Sequence, residues 1–371
     1  MITTDYPARI RITIAAATII AGVLAGLIVG VLPGSAHAQQ AQRQYVFALD
    51  DSGSMGHPRY APGLRGNDPY RLSRFAVRAL IAGLPDDALA TVITMTHNGV
   101  DTPRGETAVP VPPLAPLGGG GQRARLDGML GGSPGAGTAA GAFMSHDNSR
   151  TPCRRILDGL QHVLNGSWRP GAVQTAVFLS DGRCTDGLST AHVNAFLAGL
   201  RSEAAARQLD GENVAAPHEG QRPFQFYFIC MGGERCSSEL VTLAERTGGV
   251  AFQAPAAAAA PNPLELVDVF AQAIARSQGV CPTIHGPESR GLDAVPGAAG
   301  VRLIGVTEAG GSITMADGVR GHRGGTHSWT PDGLERRSFA FATGYVAGTQ
   351  RRQRLPVSGS RWRVIAIPEF E

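Results

Sequence analysis

The sequence has 371 residues, of which 43% are hydrophobic and 17% are charged, and these proportions are those of a globular protein rather than a disordered one. All 33 positive side chains are arginines and the formal net charge is only +3, which argues against a nucleic-acid-binding surface. A chain of this length can form two folded domains.

The N-terminal segment has the pattern of an export signal. Arg9 and Arg11 precede an uncharged run over residues 12–32, and Ala36-His37-Ala38 follows. This order is typical of a secretory signal peptide cleaved after Ala38. The run also reaches the roughly 20 residues that span a bilayer, so residues 1–38 as a retained membrane anchor are the alternative. Both interpretations predict an exported protein, periplasmic, secreted or on the cell surface, with the membrane as a partner only through this segment.

Strands and helices alternate over residues 44–278. Short apolar runs, typical of strands buried on both faces, are Tyr45–Leu49, Leu89–Met95, Thr175–Leu179, Phe224–Cys230 and Val250–Phe252. Helices are predicted after the caps Asp68-Pro69 and Thr151-Pro152, over Ser189–Arg207, after Ser237 or Ser238, and over Leu264–Arg276. The alternation predicts an α/β fold with a doubly wound, mostly parallel sheet.

A Gly- and Pro-rich stretch near residues 100–150 interrupts this pattern. We interpret it as a long insertion that contains one further strand near Thr107–Leu114. Gly248 is expected to end the helix that follows Ser237 or Ser238, because glycine is favoured just after a helix C-terminus.

The helical period ends at Cys281-Pro282. Strand-like runs follow at Val301–Val306, Ser312–Met315, Ser338–Ala342 and Trp362–Ile367. Residues 282–371 are therefore predicted to be a small β-rich C-terminal domain, either a sandwich or a barrel.

Polar side chains follow the predicted strands where parallel sheets bind ligands, at the carboxyl ends. Asp50, Ser52 and Ser54 follow the first strand, Thr151 precedes a helix, and Asp181 follows the strand Thr175–Leu179. All carry oxygen donors, which suit Mg²⁺, Mn²⁺ or Ca²⁺. Two hydroxyls with few carboxylates leave such an ion electron-poor, so it should recruit an oxygen from outside, preferably a carboxylate.

This combination resembles the metal-ion-dependent adhesion site of the von Willebrand factor A family. The residues that carry the resemblance are the D-x-S-G-S-M run at Asp50, Ser52 and Ser54, a distant threonine at Thr151, and the strand-ending S-D-G at Asp181. The segments Phe226–Gly233 and Leu240–Phe252 resemble the late strand, helix and closing strand of the same family, and the resemblance spans roughly residues 44–277. It implies a Rossmann-like fold, no catalysis, and adhesion or assembly through an acidic residue of a protein partner at the metal.

Several alternatives stay open at this stage. Thr138 in Gly135-Ala136-Gly137-Thr138 is a second candidate for the threonine, since the family usually has Gly-Gly-Thr there. Gly131-Gly132-Ser133-Pro134-Gly135 matches the G-x-S-x-G of serine hydrolases, so a hydrolase centred on Ser133 is an alternative function. A third is a structural domain in which the metal only braces the loops.

Two further residues lie next to the predicted metal ligands. Asp51 is expected to be an exposed spectator, and Met55 to pack in the core.

The sequence contains five cysteines. Cys153 follows Thr151 and Cys184 follows Asp181, and these two either form a disulfide or are unrelated buried thiols. Cys230 and Cys236 flank a turn and could close a short loop. An odd count leaves one thiol over.

Overall fold

The computed structural model describes the chain from residue 42 to residue 370 with internal gaps. The described residues are 42–56, 66–68, 71–95, 113–118, 121–131, 151–168, 172–182, 184–209, 224–232, 236–255, 262–289, 292, 295–308, 326–329, 339–347 and 361–370. No helix among them is long and apolar enough to cross a bilayer. The predicted signal or anchor over residues 1–38 lies outside this part of the chain.

A six-stranded sheet with the order β3-β2-β1-β4-β5-β6 forms the first layer. Its strands are β1 (Arg43–Leu49), β2 (Leu89–Thr94), β3 (Ala115–Pro116), β4 (Val173–Ser180), β5 (Phe224–Met231) and β6 (Ala251–Ala254). All neighbours pair in parallel except β3, which is antiparallel to β2. The predicted doubly wound, mostly parallel sheet is confirmed, and its central strands are buried along nearly their whole length.

Seven helices accompany the strands in the described residues. They are α1 (Gly53–Gly56), α2 (Leu72–Gly83), α3 (Gln122–Gly131), α4 (Cys153–Ser167), α5 (Thr190–Leu209), α6 (Ser238–Arg246) and α7 (Pro263–Ser277). Ser237 caps α6, and Gly248 follows its end with a φ of 71°, as the sequence predicts.

Two helix starts differ from the prediction. Asp68 does accept hydrogen bonds from the backbone N–H groups of Leu72 and Ser73, but α2 begins three residues after Pro69. Thr151 does not cap α4. Instead the Asp186 carboxylate accepts from the backbone N–H groups of Arg154 and Arg155, at 2.7 and 3.3 Å. The cap of α4 is therefore supplied by a residue distant in sequence, which local patterns cannot indicate.

The insertion contains a helix that the sequence analysis missed. Helix α3 buries Leu126 and Leu130, four residues apart on one face. The Arg74 guanidinium of α2 donates to the carbonyl of Leu130 at 2.7 Å, and Arg123 of α3 donates to the carbonyl of Leu84 at 2.8 Å. Each helix thus satisfies carbonyls at or just beyond the C-terminus of the other. The predicted strand Thr107–Leu114 lies largely outside the described residues, and the short strand β3 directly follows it.

The C-terminal part forms a five-stranded antiparallel sheet with the order β7-β11-β8-β10-β9. Its strands are β7 (Thr283–His285), β8 (Gly300–Glu308), β9 (Thr326–Trp329), β10 (Phe339–Ala347) and β11 (Trp362–Glu369). The β-rich prediction is confirmed, and the described strands of this region form a single open sheet rather than the predicted sandwich or barrel. One face of this sheet, including Ile304 and Phe341, shares a hydrophobic core with α2 and α7, so no second sheet is needed to cover it. The predicted strand Ser312–Met315 falls in a gap of the described chain.

We predict that Phe75 holds helix α2 against the C-terminal sheet. Its fully buried ring lies 6.0 Å from the ring of Phe339 and 5.5 Å from that of Phe341, between centroids. Phe75→Ala should lower the free energy of unfolding by about 3–5 kcal/mol, measured by urea denaturation. Phe370→Ala removes the same side chain where it is 46% exposed, and should change it by less than about 0.5 kcal/mol. Equal effects of the two substitutions would contradict this role.

Candidate metal centre

The carboxyl ends of β1 and β4 meet at the point where the strand order of the first sheet reverses. Strand β1 pairs with β2 on one side and with β4 on the other. Asp50 follows β1 directly, and Asp181 follows β4 directly. Crevices at this position of an open parallel sheet are the usual ligand sites of such folds.

Asp50 joins the two strand ends. Its Oδ1 accepts from the backbone N–H of Ser52 at 2.8 Å, and its Oδ2 accepts from the hydroxyl of Ser180 at 2.6 Å. The carboxylate is fully buried. Burial, followed by the negative charge of Asp181, raises the pKa of Asp50 to about 7, while the hydrogen bonds from Ser180 and Ser52 act in the opposite direction.

The two serines of the first cluster lie side by side. Ser52 is buried and Ser54, on the short helix α1, is exposed. Their Oγ atoms are 3.0 Å apart. Adjacent ligands of an octahedral ion at 2.0–2.1 Å are separated by about 3 Å, so this pair fits neighbouring coordination positions of an ion such as Mg²⁺.

Asp181 is linked to the first cluster through Asn67. The Asn67 side-chain amide donates to Oδ2 of Asp181 at 3.3 Å, and the Asn67 backbone N–H donates to the carbonyl of Ser54 at 3.1 Å. Asp181 itself is 5% exposed. The loops after β1 and β4 are therefore connected both through Asp50 and through Asn67.

Thr151 is attached to the same edge through the loop after β4. Its backbone N–H donates to the hydroxyl of Thr185 at 2.9 Å, and its carbonyl accepts from the backbone N–H of Thr185 at 2.9 Å. The disulfide between Cys153 and Cys184 joins the same two segments. The alternative residue, Thr138, has no described position.

The donor set is rich in oxygen and poor in charge. Its carboxylates are Asp50 and Asp181, and no group of three or more His, Cys, Asp or Glu side chains suited to a metal occurs in the described part of the chain. The remaining donors are hydroxyls, as in the predicted site. Fold, site order and donor chemistry agree with the resemblance read from the sequence. The observed fold is the Rossmann-like one that the resemblance to the von Willebrand factor A family implies.

Comparisons with solved structures include a von Willebrand factor type A protein, at low similarity. A von Willebrand factor type A protein from Catenulispora acidiphila is 17% identical, with 89% of this chain and 58% of that chain covered and a TM-score of 0.40. Proximal thread matrix protein 1 from the mussel byssus, with a zinc-occupied MIDAS motif, is 13% identical, with coverages of 66% and 50% and a TM-score of 0.37. A pilus adhesin from Lactobacillus rhamnosus GG is 11% identical, with coverages of 89% and 40% and a TM-score of 0.40.

The chain spans only 40–58% of the length of these three proteins. No protein-family model matches the sequence. No curated protein matches it either.

The structure corrects one prediction near the candidate metal centre and adds residues to it. Asp51 is not an exposed spectator: it is fully buried, and its Oδ1 accepts from the backbone N–H of Met95 at 3.0 Å. This bond anchors the end of β2.

The sequence analysis missed two residues of the site, Ser180 and Asn67. Ser180 directly precedes Asp181. The position of Ser180 in the S-D-G turn was a usable signal, whereas no pattern around Asn67 indicates its contact with Asp181. Met55 is buried in the core, as predicted.

Both of the disulfides considered from the sequence are formed. Cys153 pairs with Cys184, and Cys230 pairs with Cys236. Cys281 is the thiol left over, and it is exposed. The first disulfide connects the threonine segment with the Asp181 loop, and the second lies at the carboxyl end of β5, on the same edge of the sheet.

We predict that the disulfide between Cys153 and Cys184 is the more stabilising of the two. It closes a loop with a sequence separation of 31, against 6 for the other, and a longer closed loop restricts the unfolded chain more. Replacing Cys153 and Cys184 by serine should lower the free energy of unfolding by about 3–4 kcal/mol, and replacing Cys230 and Cys236 by about 2 kcal/mol. Guanidinium denaturation of both double variants measures the difference. The opposite ranking would contradict the prediction.

Proposed function

We propose that this protein is an exported, divalent-metal-dependent binding module that recognises an acidic residue of a protein partner. Asp50, Ser52, Ser54, Thr151 and Asp181 are the residues that would hold Mg²⁺, Mn²⁺ or Ca²⁺. The observation that carries the proposal is the pair of serine hydroxyls 3.0 Å apart, beside two buried carboxylates at the strand-order reversal. Bound there, the ion would supply a Lewis-acidic contact point for a ligand oxygen.

The charges at this edge favour an acidic ligand. Both oxygens of Asp50 already accept hydrogen bonds from the protein, so these bonds stabilise part of its negative charge before any ion binds. Hydroxyl donors add no negative charge. A divalent ion held this way is left under-neutralised, and a partner carboxylate is the strongest oxygen ligand that a protein surface can offer.

Export is supported by the cysteine chemistry as well as by the N-terminal pattern. Four of the five cysteines form disulfides, and such bonds persist in oxidising compartments outside the cytoplasm. The proposal contains no catalytic step. The alternative hydrolase rests on Ser133, whose position is not described, and no observation favours it.

The first prediction of this proposal concerns metal binding. Mg²⁺ at 100 times its dissociation constant should raise the free energy of unfolding by about 2.7 kcal/mol, seen as a higher Tm that EDTA reverses. Asp181→Asn and Ser54→Ala should reduce or abolish the shift, because each removes an oxygen ligand.

A matched control is Asp127→Asn, which removes a carboxylate that pairs with Arg78 at 2.9 Å on helices α2 and α3, away from the strand ends. It should leave the Mg²⁺-dependent rise in Tm unchanged. A folded wild-type protein whose Tm ignores Mg²⁺, Mn²⁺ and Ca²⁺ would refute the proposed function.

The second prediction concerns the partner. Peptides selected from a displayed random library in the presence of Mg²⁺ should contain an Asp or Glu that is required for binding. Replacing that residue by Asn or Gln, adding EDTA, or using the Asp181→Asn protein should each abolish binding, measured by fluorescence anisotropy.

This experiment separates recognition from a purely structural role of the metal. If the ion only braced the loops, Ser54→Ala would weaken metal binding and leave the affinity for the selected peptide unchanged at saturating Mg²⁺. Selected peptides that tolerate the loss of their acidic residue would likewise contradict partner recognition at the ion.

A further inference from the structure

Asn67 contacts the candidate metal centre, although it belongs to none of the motifs that carry the family resemblance. Its backbone N–H is bonded to the carbonyl of Ser54 at 3.1 Å, and its side-chain Nδ2 donates to Oδ2 of Asp181 at 3.3 Å. The next residue, Asp68, donates its backbone N–H to the carbonyl of Met55 and caps helix α2. The Asn67 backbone is therefore held by α1 and α2, while its side chain reaches the loop after β4.

Gly232, after β5, leaves space for this side chain. A Cβ at position 232 would lie 2.4 Å from Oδ1 of Asn67, and Gly232 has a φ of +90°. Its backbone N–H donates to the carbonyl of Ala254 at 2.9 Å, and the disulfide between Cys230 and Cys236 brackets the turn. A residue with a Cβ could not occupy this position without displacing the Asn67 side chain.

We propose that Asn67 is a positioning residue that orients the Asp181 carboxylate and thereby sets the metal affinity of the site. This inference rests on the proposed function. The amide holds Oδ2 of Asp181 and so restrains rotation of the carboxylate. An amide suits this place because it donates a hydrogen bond without adding charge, whereas a carboxylate would repel Asp181. Partners that orient a ligand in this way commonly change metal affinity by ten- to a hundredfold when they are removed.

The test is isothermal titration of the full folded chain with Mg²⁺, for the wild type and two variants of Asn67. Asn67→Ala should weaken Mg²⁺ binding by roughly tenfold. Asn67→Leu nearly keeps the size of the side chain but lacks the N–H donor and adds no charge, so it should weaken binding by a similar factor. Melting in EDTA monitors the fold of each variant separately from its affinity.

Asn194→Ala is the matched control. Asn194 accepts a hydrogen bond from Arg246 at 2.6 Å between helices α5 and α6, and its loss should leave Mg²⁺ affinity unchanged. Gly232→Ala supplies an independent arm, because the added methyl group must displace Asn67. It should weaken Mg²⁺ binding in the wild type, and by a smaller factor in the Asn67→Ala background, where the clash is removed.

The outcomes distinguish this inference from the proposed function. A wild-type protein that binds Mg²⁺ together with an Asn67→Ala protein of equal affinity would overturn the positioning role alone. Wild-type affinity in Asn67→Leu would show that Asn67 only fills space, and would overturn it as well. A folded wild-type protein without any Mg²⁺ binding would overturn the proposed function and this inference with it.

Discussion

The buried carboxylate of Asp50 is the interaction on which this edge of the molecule depends. It accepts from Ser52 on its own loop and from Ser180 at the end of β4, so two loops from neighbouring strands share one anion. Desolvation makes a buried negative charge costly, and Asp181 adds to that cost. The hydrogen bonds offset part of it. A cation beside both carboxylates would offset more, which connects the geometry of the fold with the function proposed for it.

Covalent and hydrogen-bonded links keep the surrounding loops in one arrangement. The disulfide between Cys153 and Cys184, the paired hydrogen bonds of Thr151 with Thr185, and the Asp186 cap of α4 all join the same two segments. Such links reduce the conformational entropy that is lost when a ligand binds. The loops around the candidate metal centre are thus held in place by the scaffold, rather than by the ion alone.

The sequence predicted what depends on periodicity and missed what depends on contacts between distant segments. Apolar runs and helix caps were enough for the parallel sheet, for the ends of α6 and for the loops that carry Asp50 and Asp181. The cap of α4 by Asp186 and the contact of Asn67 with Asp181 join residues that share no local pattern. Asp51 was misjudged because an acidic residue in a turn is usually exposed, and only the neighbouring β2 shows why it is buried. Helix α3 was missed because the glycines around it indicate a loop, although Leu126 and Leu130 have the spacing of a buried helix face.

The pairing of β1 with β4 has a consequence for how the protein is made. These two strands lie side by side although Asp50 and Ser180 are 130 positions apart in the chain. A nascent chain therefore carries Asp50, Ser52 and Ser54, three of the five proposed ligands, for the whole time that the insertion is being synthesised. Contacts of such long sequence separation form late and slow folding. The candidate metal centre would then be complete only after this slow pairing of β1 with β4, so metal binding should follow the late step of folding rather than precede it.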